Sequence, residues 1–364
     1  MEVVDVAIVG AGPAGTTCAA LCAAAGLRTV LIEREKFPRE KVCGDCMNPA
    51  CQPVLQRLGL ADEINTSPHA IVNAVDFITI SGRRVRADLS IGSAKMVTIK
   101  RSVFDDRLLN RAREFGARAH EEATLISLHK TRDRDWRIDI VRYTLLARIV
   151  VGADGRNSTV ARLCNLLPRP ERERIALQAH IALPRNFGSR IVLQLLPEGY
   201  SGQAPVNERE LNLCLVGRPP TISSLKTWSE KKFDLPSDQA WRTITPLTRD
   251  PVPAAHGNLF FIGDAARVVE PFTGEGIYYA LRSGELAADA ITKMIGGQDR
   301  QSAVNEFVRA HREMYRGRLW INRLARAAVL HSRGASRLLS ATPISGPILR
   351  SLTRKIVRLT AAPP

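Results

Sequence analysis

A glycine-rich turn near the start of the chain constrains the fold more than any other feature. A short β-branched apolar run, Val3 to Val9, stops at Gly10-Ala11-Gly12-Pro13-Ala14-Gly15, and an Ala/Cys-rich segment follows to Gly26. A second apolar run, Thr29 to Ile32, ends at Glu33. This order predicts a strand, a tight turn, a helix and a second strand parallel to the first, joined by a right-handed crossover. We therefore expect a parallel sheet.

Each glycine of the turn has its own physical role. Gly10 permits the tight turn, Gly12 lets the backbone approach a pyrophosphate, and Gly15 lets helix and strand pack closely. The phosphates would lie at the N-terminus of the helix that begins near Pro13, where free N–H groups and the helix dipole favour anions. Glu33 is placed to accept a hydrogen bond from a ribose hydroxyl. The pattern predicts dinucleotide binding, and a purely structural turn with a surface glutamate is the alternative.

Length and composition limit the class of protein. At roughly 150 residues per domain, 364 residues predict about two domains. A chain with 45% hydrophobic and 24% charged residues is neither disordered nor collagen-like. Its apolar runs are shorter than the ~20 residues of a membrane span, and its acidic start is unlike a signal peptide, so we expect a cytoplasmic protein. The seven cysteines lack the spacing of a disulfide-bonded secreted domain, so we expect their thiols to be reduced.

Alternating segment types predict how the chain is divided. We expect an α/β fold in which a nucleotide-binding domain, built from residues 1–69, 100–164 and 251–300, carries an inserted sheet domain built from residues 70–99 and 165–250. A basic helical C-terminal region, residues 301–364, follows. No internal repeat is visible.

Two further buried-type strands end in acidic motifs. Residues 149–151 run into Gly152-Ala153-Asp154-Gly155, and residues 259–262 run into Gly263-Asp264. An Asp at the carboxyl end of a parallel strand faces the ligand crevice and can hold hydroxyl groups. Each can instead cap the helix that follows.

A longer motif precedes a predicted helix that starts near Gly276. It is Pro271-Phe272-Thr273-Gly274-Glu275-Gly276-Ile277. Its glycines allow close backbone approach, and the positive end of the helix can stabilise an electron-rich ring such as a reduced flavin.

Together these motifs resemble those of the FAD-dependent oxidoreductases of the para-hydroxybenzoate hydroxylase and geranylgeranyl reductase superfamily, over about residues 3 to 295. The resemblance implies a Rossmann-like FAD-binding domain of the glutathione reductase type, an inserted antiparallel β-sheet substrate domain, and FAD as cofactor with NAD(P)H as electron donor. It implies cofactor contacts from Gly10, Gly12, Pro13, Ala14, Gly15, Glu33, Arg34, Lys41, Cys43, Gly44, Arg101, Asp154, Gly263, Asp264, Pro271, Gly274, Gly276 and Ile277.

Residues 37–45 and 271–277 are similar to the geranylgeranyl reductase-like branch, in which a Cys-Gly pair lies close to the flavin. This implies a catalytic role for Cys43 and a lipophilic substrate, either an isoprenoid or a polyketide-type lipid. The branch has a Tyr-x-Trp-x-Phe-Pro pattern. At the corresponding positions, residues 200–205, this sequence has only the Tyr and the Pro, Tyr200 and Pro205. Tyr200 is a candidate for the substrate cavity or for the core. Hydroxylation of an aromatic or phenolic lipid is the alternative reaction.

Three cysteines follow the second predicted strand, and their role is open. Cys43, Cys46 and Cys51 could include a redox pair beside a flavin, as in flavin disulfide reductases. Alternatively, Cys43 alone lies near the ring, or all three are packing residues. We expect no metal site, because a second Cys or His pair at ligand spacing is absent from the sequence.

The positive charge is concentrated at the C-terminus. Residues 307–364 contain eleven Arg and one Lys against the single acid Glu313, which is +11 of the net +16. If this segment is helical, it has an apolar face and a basic face. The apolar face would contain Ile348, Leu349, Leu352, Ile356 and Leu359, and the basic face would contain Arg350, Arg354 and Arg358. Residues 345–360 therefore either contact an anionic membrane peripherally or pack on the body of the protein. We do not expect nucleic-acid binding, because no basic motif is interleaved with aromatic residues.

Overall fold

The computed structural model describes residues 2–89, 95–132, 135–169, 174–341 and 345–357. The strands are β1 Glu2–Val9, β2 Thr29–Ile32, β3 Cys46–Met47, β4 Ala70–Val72, β5 Ala74–Ile78, β6 Arg84–Asp88, β7 Met96–Thr98, β8 Arg118–His120, β9 Leu125–Lys130, β10 Trp136–Ile140, β11 Tyr143–Gly152, β12 Ile175–Ala182, β13 Arg190–Leu196, β14 Gly199–Pro205, β15 Glu210–Gly217, β16 Arg242–Ile244, β17 Ala255–His256 and β18 Leu259–Phe261. The helices are α1 Pro13–Ala24, α2 Gln52–Arg57, α3 Ala61–Thr66, α4 Arg101–Glu114, α5 Thr159–Leu163, α6 Ile222–Phe233, α7 Gly276–Ile295, α8 Arg300–Glu313, α9 Leu319–Leu330, α10 Ser332–Ala341 and α11 Ser345–Val357.

The first sheet contains the predicted parallel strands. Its strand order is β17-β18-β11-β1-β2-β8, and β9 and β10 extend it beside β11. Strand β1 pairs in parallel with β2 and β11, and β11 pairs in parallel with β18. The β1-α1-β2 unit predicted from the glycine turn is confirmed.

Small residues let α1 and α7 approach each other closely behind this sheet. Most of α1 is buried, and its sequence PAGTTCAALCAA contains almost no long side chains. A Cβ added to Gly284 of α7 would lie 2.4 Å from the Ala14 carbonyl oxygen of α1, so the contact requires glycine there.

The second sheet joins strands from both predicted β-rich blocks. Its order is β16-β12-β15-β14-β13-β5-β6, so β5 and β6 lie beside strands that come more than a hundred residues later. The pairs are antiparallel except β13 with β5, which is parallel. On β15, Leu211, Leu213 and Leu215 are buried in the core that α6 covers, whereas Asn212 and Cys214 line a cavity. This alternation is the period of two expected for a strand.

The C-terminal helices return to the two sheets. Helix α8 packs on α7, α10 packs on β13, and α11 packs on β6. The fold class is confirmed: an α/β nucleotide-binding domain carries an inserted, mainly antiparallel sheet and a helical C-terminal region. Among the described residues, no helix is both long and apolar enough to cross a membrane.

Candidate functional site

A cavity of about 330 Å³ runs from the glycine turn to the second sheet and the C-terminal helices. Most of the residues singled out from the sequence line it: Gly12, Pro13, Ala14, Lys41, Cys43, Gly44, Arg101, Tyr200, Gly263, Asp264, Pro271, Gly274, Gly276 and Ile277. Five others do not: Gly10, Gly15, Glu33, Arg34 and Asp154. The structure thus brings together motifs that are up to 265 residues apart.

The glycines of the turn divide into two structural types. Gly10 has a φ of +102°, and a Cβ added to Gly15 would lie 1.9 Å from the Gly10 carbonyl oxygen, so both are needed for packing. Gly12 faces open space, and the nearest atom to an added Cβ is Lys41 Nζ at 3.9 Å. Gly12 therefore leaves room for a group beside the N-terminus of α1.

Two acids expected to contact a cofactor accept hydrogen bonds from backbone N–H groups. Glu33 Oε2 accepts a hydrogen bond from the Ala11 N–H at 2.8 Å, and its Oε1 accepts from the Glu35 N–H at 3.0 Å. Asp154 accepts from Ser158 Oγ at 2.6 Å and from the backbone N–H groups of residues 159 and 160, which is the helix-capping alternative. Glu33 and Asp154 thus shape the turn and the start of α5 from outside the cavity.

Arg34 is an exposed member of the expected cofactor residues. Its side chain is 76% exposed and lies 3.4 Å from Glu35 Oε1. A contact from this side chain to a cofactor would lie outside the cavity.

Lys41 is a cation that lines the cavity beside α1. No hydrogen bond or ion pair joins it to another described residue, and burial together with nearby Arg101 and Arg39 lowers its pKa to about 8. Helix α1 begins at Pro13 without a side-chain cap, so its first N–H groups also lack side-chain acceptors. Asp264 and Asp105 partly offset the charge of Lys41 from a distance. A lysine without a hydrogen-bonded partner and a helix N-terminus, both at an open glycine, form a site suited to a pyrophosphate.

Arg101 belongs to a buried charge cluster at the start of α4. Its guanidinium makes two hydrogen bonds of 2.7 Å to Asp105, and Arg39 Nη1 donates to Asp105 Oδ2 at 3.0 Å. Burial raises the pKa of the Cys43 thiol, and the positive charge of the nearby Arg101 opposes that shift. Cys43 is therefore a protonated thiol with a cation beside it.

Two buried ion pairs hold the segment before α7, residues 270–275, which we call the pre-α7 loop. Glu270 accepts from Arg174 at 3.0 and 2.7 Å, and Glu275 accepts from Arg318 at 2.5 Å. Asn322 of α9 accepts from the Glu270 N–H at 2.9 Å. Sequence analysis missed Arg174, Arg318 and Asn322. The only signal was that two acids flank an otherwise apolar motif.

The thiols give no sign of a disulfide. All seven cysteines are free, and Cys46 Sγ donates to the Gly44 carbonyl oxygen at 3.1 Å. Burial raises the pKa values of Cys46 and Cys51. Both thiols are therefore protonated, whereas a nucleophilic redox pair requires a thiolate.

The half of the cavity away from the glycine turn is apolar. Tyr200 is buried and packs edge-on against Phe272 at 5.0 Å between ring centroids, and burial raises its pKa, so its hydroxyl stays protonated. Uncharged polar side chains such as Thr79, Gln203 and Thr353 also line it. Most of the remaining wall is aliphatic or aromatic, and it includes Val75, Phe77, Ile191, Leu193, Leu195, Val216, Ile244, Leu247, Leu324 and Leu339.

The last described helix contributes to this wall. Leu349 and Leu352 of α11 line the cavity, which favours packing on the body for this part of the predicted apolar face. Ile348 of the same predicted face is 53% exposed. Arg358, Leu359 and the side chain of Ile356 lie outside the described residues.

The comparisons with known proteins agree with this geometry. A family model for an FAD binding domain matches residues 3–184. The chain is 30% identical to a menaquinone reductase of Mycolicibacterium smegmatis over 79% of this chain and 76% of the relative. It is 26% identical to a digeranylgeranylglycerophospholipid reductase of Methanocaldococcus jannaschii, over 86% and 83% of the two chains.

A solved structure of low sequence identity shares the fold. PqsL of P. aeruginosa, solved in complex with 2-aminobenzoylacetate, superposes with a TM-score of 0.78 over 93% of this chain and all of that chain, at 18% identity. The open glycine, Lys41 without a hydrogen-bonded partner and the uncapped helix start fit the pyrophosphate of FAD. This chain is an FAD-dependent oxidoreductase and belongs to the para-hydroxybenzoate hydroxylase and geranylgeranyl reductase superfamily, in the geranylgeranyl reductase-like branch.

Proposed function

We propose that this oxidoreductase reduces a carbon–carbon double bond in the isoprenoid chain of a lipid, with NAD(P)H as the electron donor. The observation that carries the proposal is the long apolar wall that continues from the Cys43 region to α9 and α11. An extended hydrocarbon chain gains free energy along its whole length in such a cavity, at roughly 0.8 kcal/mol per buried CH₂.

The residues that line the half of the cavity nearest the glycine turn would hold the cofactor. Lys41 and the start of α1 would bind the pyrophosphate, and the start of α7, with Gly276 and Ile277, would face the electron-rich part of the ring. Asp264, which accepts from Arg156 at 3.0 Å, would hold a ribityl hydroxyl. Bound FAD supplies the hydride chemistry, and the protein supplies binding, orientation and electrostatics.

The wall supports reduction over hydroxylation. Hydroxylation of a phenolic lipid is helped by a base that deprotonates the phenol. The described residues of the second sheet and of α9 to α11 that line the cavity include no carboxylate and no imidazole. Reduction of an isolated double bond needs no such base: one carbon would take a hydride from the reduced cofactor and the other a proton, for which the protonated Cys43 thiol lines the cavity.

The test uses the FAD-loaded protein. We would reduce it anaerobically with NADPH or NADH and then add a lipid that carries a geranylgeranyl chain and no quinone ring. Reduction predicts that the flavin is reoxidised without oxygen and that the lipid gains two hydrogen atoms by mass spectrometry. A product that gains one oxygen atom, formed only in air, would support the hydroxylase alternative instead.

We also propose that an anionic membrane surface supplies the lipid. The contact would be made by exposed residues of α9 and α11: Trp320, Leu324, Ile348, Arg350 and Lys355. Trp320 and Leu324 are about half exposed, and Lys355 Nζ lies 5.2 Å from the Trp320 ring. Leu324 also lines the cavity, so a membrane at this surface would contact the cavity opening.

Vesicle flotation tests this contact. The protein should float with phosphatidylglycerol vesicles at low salt, and it should float less in high salt or with the double variant Trp320→Ala/Leu324→Ser. The control is Val141→Ser, which removes a similarly exposed apolar side chain from the turn between β10 and β11 of the first sheet. Binding to DNA with no vesicle binding would contradict the membrane contact.

A further inference from the structure

A buried polar cluster lies next to the Cys43–Gly44 segment. Asp45 is fully buried, and its Oδ2 accepts from His180 Nε2 at 2.8 Å and from Asn212 Nδ2 at 2.5 Å. Neither Asp45 nor His180 lines the cavity, whereas Cys43 and Gly44 do. Asp45 and His180 therefore act on the cavity through the residues that they hold, whereas Asn212 lines it directly.

Several hydrogen bonds from this cluster end on the backbone of the segment. Asn212 Nδ2 donates to the Cys43 carbonyl oxygen at 2.8 Å, and Cys214 Sγ donates to the same oxygen at 3.4 Å. The Ile99 N–H donates to the Asp45 carbonyl oxygen at 3.0 Å. These bonds tie the segment to strand β15 and to the residues that lead into α4.

The backbone at Asp45 needs such support. Asp45 has a φ of +56°, in the left-handed region, which is less favourable for any residue with a Cβ than for glycine, although Asp and Asn adopt it more often than other such residues. A residue in this conformation persists where surrounding contacts hold it there. The hydrogen bonds to the Asp45 carboxylate are the contacts that can do so.

His180 is surrounded by acids from two directions. Its Nδ1 lies 3.9 Å from Glu40 Oε2, on the side of the ring opposite Asp45, and Glu210 of β15 lies close enough to interact electrostatically. Lys100 neutralises Glu210 at 3.0 Å, and Arg101 of α4 interacts with Asp45. The hydrogen bond from His180 Nε2 to Asp45 is therefore the contact that joins the ring to the segment, and Gln178 Nε2 lies 3.2 Å from the same ring nitrogen.

We propose that Asp45 and His180 are positioning residues, which hold the Cys43–Gly44 segment in the left-handed turn that places the Cys43 thiol in the cavity. The pair acts through Cys43 and does not itself contact the flavin or the lipid. Because the inference concerns the placement of Cys43, it holds for either reaction considered above.

The test measures the reactivity of Cys43 in the FAD-loaded protein. Iodoacetamide alkylation is followed by tandem mass spectrometry, which distinguishes Cys43 from Cys46 and Cys51. In His180→Ala we expect Cys43 to react ~10-fold faster, as loss of a charge-assisted hydrogen bond frees the segment. We also expect a shifted visible spectrum of the bound flavin.

His180→Gln distinguishes positioning from a general loss of packing. Its side-chain amide can still donate to Asp45, so both the alkylation rate and the flavin spectrum should return towards the wild-type values. His129→Ala, at an exposed position on β9, is the control and should match the wild type.

Three outcomes would overturn the proposal. The first is a Cys43 alkylation rate and flavin spectrum in His180→Ala equal to those of the wild type. The second is a His180→Gln variant that reacts as fast as His180→Ala, and the third is an equal effect in His129→Ala. Where His180→Ala does not fold, Asp45→Asn replaces it, because it keeps the side-chain shape and removes the charge. There, too, faster alkylation is expected, and a wild-type rate contradicts the proposal.

Discussion

Arg318 Nη1 lies 2.5 Å from Glu275 Oε1, and the two side chains are 3% and 0% exposed. Arg318 immediately precedes α9, and Glu275 immediately precedes α7. The C-terminal region is thus joined by a buried ion pair to the loop from which the cofactor-facing helix starts.

Breaking this pair should destabilise the protein. Arg318→Met leaves the Glu275 carboxylate buried without its charged partner, and loss of one member of a buried pair costs about 3–5 kcal/mol of the free energy of unfolding. FAD should also bind less tightly, because the pre-α7 loop loses its anchor. Urea denaturation and flavin fluorescence titration measure the two effects.

An exposed pair in the same region provides the control. Arg316 and Glu313 lie 3.0 Å apart, but their side chains are largely in solvent. Arg316→Met should change the free energy of unfolding by less than about 0.5 kcal/mol. Equal effects of the two substitutions would show that burial of the Arg318–Glu275 pair does not matter.

FAD affinity should fall as the pH rises through about 8. The pKa of Lys41 is lowered to about 8 in the free protein, and a bound pyrophosphate would raise it, so binding is strongest where Lys41 is already protonated. Above that pH, binding must also take up a proton, and the affinity decreases. Titration of the apoprotein with FAD across this pH range measures the effect.

Substitutions at Lys41 separate charge from shape. Lys41→Met should bind FAD ~10-fold more weakly near neutral pH and should lose the pH dependence around 8. Lys41→Arg keeps the charge at high pH and should bind without that dependence. Lys36→Met, which removes an exposed lysine from the same segment, is the control. An unchanged pH profile in Lys41→Met would exclude Lys41 as the titrating group.

Adjacent residues on β13 test the apolar wall. Leu193 lines the cavity, and Gln194 accepts from Lys232 Nζ at 2.6 Å outside it. Leu193→Trp should raise the KM for the lipid ~10-fold and leave FAD affinity unchanged, because the larger ring fills space that the chain needs. Gln194→Trp should leave the KM near the wild-type value. If Leu193→Trp has no effect on the KM, the substrate does not lie along this wall.

Turnover should not depend on a dithiol. Burial raises the pKa values of Cys46 and Cys51, so neither supplies a thiolate readily. Cys46→Ser and Cys51→Ser should each keep turnover within about twofold of the wild type, whereas Cys43→Ser should lower it. Steady-state rates of the three variants test whether a dithiol takes part in turnover. Loss of turnover in Cys46→Ser would support the redox-pair hypothesis.

The sequence by itself determined the first parallel unit and the class of fold. Two glycines of the turn act locally: Gly10 has a positive φ, and Gly15 lies against the Gly10 carbonyl oxygen, where an added Cβ would be only 1.9 Å away. The apolar runs on either side have the period and length of buried strands and a small-residue helix. These features depend on near neighbours in the chain, so they can be recognised without the structure.

Only the tertiary structure decided which charges meet. His180 and Asp45 are 135 residues apart, and Arg174 and Glu270 are 96 residues apart. Sheet register and helix packing bring these partners within hydrogen-bond distance, and no local pattern specifies either. The same holds for α11, where helical periodicity predicted one apolar face but packing against β6 placed Leu349 and Leu352 in the cavity wall and left Ile348 in solvent. A periodic pattern gives a helix its apolar face, but the surface that this face covers is set by long-range contacts.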